Sequence, residues 1–124
     1  MSNTVGDVQE IIDKLRINDF SNRDLEQYLE SSLMLVKTNA IIAVLRKNIT
    51  EESVVLKLKK ISKNIQQEPK VIGEWNTGHY AMAVLYLLNT MRTREIYNDN
   101  MKNLDKYVQD GIKKLIEQIP YMLK

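Results

Sequence analysis

The chain has 124 residues, 44% of them hydrophobic and 27% charged, with 4 Gly, 2 Pro, no Cys and a formal net charge of +2. That length suits one hydrophobic core, and the composition is that of a folding chain and not of a disordered one. The missing cysteines exclude disulfides, thiolate nucleophiles, zinc ribbons and iron–sulfur ligation, and so few Gly and Pro leave too little turn punctuation for a many-stranded β fold.

A single all-α domain over residues 1–124 is therefore expected. Charge is uneven along it: net −4 over residues 1–36, +5 over 37–72 and +1 over 73–124. Oppositely charged segments either pack side by side and cancel or mark an anionic partner. The first residues show no basic region followed by an apolar core, so no export signal is read. The longest apolar run, Tyr80 to Leu88, is half of the ~20 residues that a membrane-spanning helix needs. A cytoplasmic protein without membrane contact is the expectation.

Val5, Val8, Ile12 and Leu15 recur at spacings of three and four, which predicts a helix from Val5 to Ile17. Asn18 to Asn22 interrupts it, and Ser21 with Asp24 three residues on reads as an N-cap. Leu25, Tyr28, Leu29, Leu33 and Val36 carry the stripe onward, with a break expected near Ser31-Ser32 because one helix to Lys47 would be unusually long. Leu33 to Lys47 is apolar on most sides and reads as a central helix. Thr50, followed by Glu51 and Glu52, reads as the next start, since carboxylates stabilise a first turn. That helix carries Val54, Val55, Leu58, Ile61, Ser62 and Ile65 on one face.

Pro69 to Asn76 reads as a loop. Asn76 is placed as a cap, with Trp75 and Tyr80 the partners of a hydrophobic staple across it. A second central helix is predicted from Thr77 to Met91. Ile96, Tyr97, Met101, Leu104, Val108, Ile112, Leu115, Ile116 and Ile119 then predict one long amphipathic helix to Pro120, weakened once by Gly111.

The two central helices share a short pattern. Ala43-Val44-Leu45 stands forty positions before Ala83-Val84-Leu85, and Ile42 aligns with Met82. Each run is followed by a polar junction and an amphipathic helix, a unit whose period suits helical-repeat arrays. The stretch Val36 to Leu45, followed by Glu51-Glu52-Ser53-Val54-Val55 and Leu58, resembles the HEAT repeat, although Lys37 stands where arginine is commoner. The likeness covers roughly residues 33–108. It implies a short right-handed stack of antiparallel helical hairpins, five to six helices in all. The alternative is an irregular helical bundle whose inner helices use small residues for close approach.

No catalytic constellation is visible. His79 is the only histidine; it lacks the further ligands that a metal needs, and it reads as a solvent-side residue near a helix start. The carboxylate pairs Glu10/Asp13, Glu26/Glu30 and Glu51/Glu52 fall where solvated helix faces and first turns place acids. The glycines never cluster as a phosphate cradle requires, and Ser31-Ser32 lacks a nucleophile elbow. No enzyme activity, metal or cofactor is expected.

The clearest surface feature is a lysine-rich helix over residues 51–65. Leu56, Lys59, Lys60 and Lys63 fall opposite its apolar stripe, with Lys57 beside them. The HEAT resemblance implies that this helix lines a concave face. Leu56, Lys57, Lys59, Lys60 and Lys63 are thus the expected partner-binding residues of a protein-interaction or scaffold module, with an acidic protein surface as partner. The alternative is nucleic-acid binding that adds Arg46 and Lys47 to the lysines; it lacks interleaved arginine and aromatic residues. A monomer, or a homodimer covering one end of the stack, is expected.

Overall fold

Short polar residues decide where several of the helices begin or end. In a computed structural model that describes residues 5–65 and 75–123, with side chains from residue 7 onward, the order is α1 (Val5–Arg16), α2 (Asn22–Leu29), α3 (Met34–Arg46), α4 (Glu52–Ser62), α5 (Thr77–Leu88), α6 (Met91–Met101) and α7 (Lys106–Met122). No strand occurs among the described residues. The described residues are all-α, with seven helices among them where five to six were expected for the chain. The loop read over residues 69–76 falls mostly outside the described residues.

The Ser21 hydroxyl accepts from the Asp24 N–H at 3.1 Å and caps α2 as the sequence predicts. The break near Ser31-Ser32 is also found, with the Ser31 hydroxyl accepting the Leu33 N–H at 3.0 Å. Thr50 does not cap α4. The cap position is Glu51, which makes no capping bond of its own because its carboxylate instead accepts from Asn22 of α2.

Three further boundaries differ. α5 stops at Leu88, where Asn89 turns left-handed (φ 57°), and Thr90 opens α6 in a reciprocal capping box with Thr93. The expected long helix after Ile96 is two helices. The Asp105 carboxylate accepts the Val108 N–H at 3.0 Å and starts α7, while Gln109 donates to the carbonyls of Met101 (2.8 Å) and Leu104 (3.0 Å), closing α6. Three-four spacing persists through Met101, Leu104 and Val108, so periodicity could not see this break. α7 also runs past its expected stop and holds Pro120 within its last turns.

Asn18 (φ 61°) and Asn48 (φ 55°) close α1 and α3 in the same way. The Asn18 N–H donates to Leu15 O at 3.3 Å and the Asp19 N–H to Lys14 O at 2.8 Å. The Asn48 N–H donates to Leu45 O at 3.0 Å and the Ile49 N–H to Val44 O at 2.9 Å. Both are Schellman motifs, in which a residue that tolerates the left-handed region satisfies the last helix carbonyls.

Packing follows chain order. α1 touches α3, α3 touches α5 and α5 touches α7; α2 touches α4 and α4 touches α6; α2 also packs on α3, and α5 on both α4 and α6. α5 is covered on nearly every side, with Thr77, Gly78, His79, Tyr80, Ala81, Met82, Ala83, Val84, Leu85 and Leu88 buried. Its small residues let neighbours approach, and its large ones join Ile41, Val44, Val54, Leu58, Ile96, Ile112 and Leu115 in the core. Ser62, in the apolar stripe of α4, is buried too. Its hydroxyl donates to Lys59 O (2.6 Å) and accepts from Asn100 Nδ2 (2.8 Å), so a polar pair ties α4 to α6.

Two expected outcomes follow from this packing. Leu85 is fully buried while Leu45 is half-buried at the core edge. In urea denaturation, Leu85→Ala should cost about 2–5 kcal/mol, and Leu45→Ala about 1 kcal/mol. Equal losses would show that the two positions are not packed as described. The Tyr80 hydroxyl is buried without a hydrogen-bond partner among the described residues, and burial pushes the phenol pKa up. Tyr80→Phe removes that desolvated group, so thermal melting should show unchanged or raised stability, by up to about 1 kcal/mol.

Candidate functional site

The residues singled out on α4 divide between two places. Leu56, Lys57 and Lys60 line a cleft of about 700 Å³ formed with α2 and the start of α3; its other lining residues are Glu26, Leu29, Glu30, Lys37, Ser53, Ile61 and Asn64. Lys59 and Lys63 are not among the lining residues. On α4 the lining positions 53, 56, 57, 60 and 61 are one helical face, about 12 Å long at 1.5 Å per residue, and Asn64 follows in the turn after it.

Leu29 and Ile61 are buried and form the apolar floor, while Leu56 is 44% exposed at the mouth. The walls are joined by polar pairs that repeat with the turns of α2. Asn22 meets Glu51, the Ser53 hydroxyl donates to Glu26 at 3.2 Å, and Lys57 forms an ion pair with Glu30. Hydrogen bonding and attraction to Lys57, with a smaller contribution from Lys60, hold the Glu30 carboxyl below the usual carboxylate range. Acids from α2 therefore share the cleft with lysines, which spacing along α4 alone does not reveal. Lys59, Lys60 and Lys63 form no ion pair among the described residues.

Arg46 and Lys47 act elsewhere. The Arg46 guanidinium donates to Leu15 O at 3.2 Å, and its pKa is lowered by burial and by nearby Arg16. Lys47 donates to Phe20 O at 3.3 Å and lies over the Phe20 ring at 4.6 Å. Both cations pin the α1–α2 turn onto the end of α3. The described residues contain no group of three or more His, Cys, Asp or Glu placed to hold a metal, and no helix among them is long and apolar enough to cross a membrane.

His79 is not a solvent-side residue; it is only 8% exposed. Its Nδ1 accepts the Asn76 N–H at 3.2 Å, while the Asn76 side-chain oxygen accepts the His79 N–H at 3.2 Å. Asn76 thus caps α5 as predicted, with His79 as the reciprocal partner that the sequence reading missed; polar residues three apart at a helix start are the signal that could have found it. Asn76 Nδ2 also donates to Ile65 O at 2.6 Å, and Trp75 meets Tyr80 edge-on with ring centroids 6.5 Å apart. A smaller cavity of about 240 Å³ beside His79 is lined by Tyr107, Asp110, Gly111 and Lys114 of α7.

Comparison with known protein families, with characterised proteins and with solved structures finds no match to this chain.

The junction around His79 makes two glycines behave oppositely. A Cβ on Gly78 would lie 2.6 Å from the Ile65 Cα, and backbone cannot yield there. A Cβ on Gly111 would sit 3.7 Å from the His79 ring, an ordinary contact. Gly78→Ala should lower the thermal midpoint, whereas Gly111→Ala should raise stability by about 0.5–1 kcal/mol through helix propensity. Shifts of the same sign in both variants would contradict this packing of α5 between α4 and α7.

Proposed function

We propose that the chain is a non-enzymatic protein-interaction module, a short HEAT-like stack of helical hairpins that takes up an acidic segment of a partner protein in the cleft between α2 and α4. The observation that carries this reading is the cleft itself: an apolar floor of Leu29 and Ile61, an exposed Leu56 at the mouth, and Lys37, Lys57 and Lys60 around it. A half-exposed leucine ringed by charge is the form that a binding anchor takes, with apolar contact supplying affinity and the lysines selecting and orienting an acidic partner. The stack reading is supported by the order of packing, in which helices touch those two places along the chain and form one odd-numbered and one even-numbered row. Right-handed stacking, and a cytoplasmic setting to which a cysteine-free chain is suited, belong to the same reading. Nucleic-acid binding gains no support from Arg46 and Lys47, whose cationic groups are engaged within the fold.

The test places a photo-crosslinking residue at the position of Lys63, beside the cleft, identifies the adduct by mass spectrometry, and titrates the recovered protein against variants. Leu56→Ala and Lys60→Glu should each weaken the complex by about tenfold or more. A partner indifferent to both substitutions would overturn the reading. Duplex and single-stranded nucleic acid are titrated in parallel, and tight binding there that falls steeply with salt would replace the protein partner with a nucleic acid.

A further inference from the structure

The polar pairs between α2 and α4 include one that occupies a lysine which a partner's carboxylate would also seek. Lys57 is 26% exposed at its side chain while Glu30 is 63% exposed, so the lysine sits deeper and the acid lies toward solvent. Glu30 stands at the C-cap of α2, its backbone N–H donating to Gln27 O at 3.1 Å, while its carboxylate pairs with Lys57 of α4. Glu26, one turn earlier, meets the neutral Ser53. The two acids thus face α4 at i and i+4 with Leu29 between them, which is the arrangement that an acidic amphipathic helix would bring to the same cleft.

We propose, building on the reading of the cleft as a docking site, that Glu30 is a built-in competitor: it holds Lys57 in place of a carboxylate of an acidic, leucine-bearing partner helix, and it must release Lys57 when that helix docks. The lining face of α4 matches about two helical turns. Occupying Lys57 internally keeps its partly buried side chain paired in the free protein, and it sets a threshold that weakly acidic segments do not pass. The exchange is one solvent-side ion pair for another, so the expected change in affinity is modest and its sign is definite.

The test uses the full chain and a fluorescein-labelled, stapled 14-residue helical peptide of leucine and glutamate with its glutamates at i and i+4, read by anisotropy at constant ionic strength. Glu30→Gln, which keeps the shape of the cap, should tighten binding about two- to fivefold. Glu26→Gln removes the same charge from the same wall and should change it less. In a Lys57→Met background the gain from Glu30→Gln should vanish, which separates release of Lys57 from a general change in field. Equal tightening by Glu26→Gln and Glu30→Gln, or a gain that survives in Lys57→Met, would overturn the competitor role while leaving the docking site in place. Wild-type binding that is absent, or that Leu56→Ala does not weaken, would overturn the docking site itself.

Discussion

Ten of the twelve residues of α5 are buried, so that helix leaves little more than Tyr86 and Leu87 to water and persists only while α3, α4, α6 and α7 surround it. Its position is fixed at one end by a set of contacts that cannot slide. The Asn76 side chain reaches Ile65 O, Gly78 lets the backbones of the two helix ends touch, and Trp75 donates to Gly111 O at 3.0 Å. α4 is thereby held against α5 at the end of the same face that lines the cleft. The cleft depends on that constraint, because α4 presents Leu56, Lys57 and Lys60 outward only while its Val54, Val55, Leu58 and Ile61 remain committed to the core.

Much of this was legible in the residues. Three-four spacing located the apolar faces, Ser21 and Asn76 announced their helices, and the apolar runs at Ala40 and Tyr80 marked the two inner helices. Where periodicity failed, it failed for a physical reason: a helix break that keeps apolar residues in phase, as at Asn103-Leu104-Asp105, leaves the hydrophobic pattern intact and shows only in the capping chemistry. The same holds at Asn89, whose left-handed turn ends α5 earlier than the pattern suggested. A reading that weighted asparagine as a helix terminator would have found both ends of that junction. It would also have noticed that Ile11-Ile12-Asp13-Lys14-Leu15-Arg16-Ile17-Asn18 recurs, thirty residues on, as Ile41-Ile42-Ala43-Val44-Leu45-Arg46-Lys47-Asn48, identical at five of eight positions and ending in the same Schellman turn.

The candidate site was half legible. A helical projection set Leu56 and Lys60 away from the core, and both line the cleft. It could not show that Lys57 leans toward α2, that Lys59 and Lys63 lie off the cleft lining, or that Glu26 and Glu30 supply the facing wall. Those acids lie nearly thirty residues earlier in the chain, and only the packing of α2 against α4 brings them across. His79 was misjudged for a similar reason: its imidazole is covered by α7, a helix that begins more than twenty residues later.

The serial order of helix contacts bears on how the molecule comes apart. Among the described residues the principal pairings join α1 and α2 to α3 and α4, and α6 and α7 to α4 and α5, so the chain is held mainly by neighbours in sequence. Cooperativity in such an arrangement should be graded, with amide protection against hydrogen exchange expected to be highest in α5, which four helices cover, and to decline toward α1, whose main support is α3. α4 packs more closely on α5 than on α2, so the wall that carries Glu26 and Glu30 should belong to the softer part of the molecule and breathe without disturbing the centre.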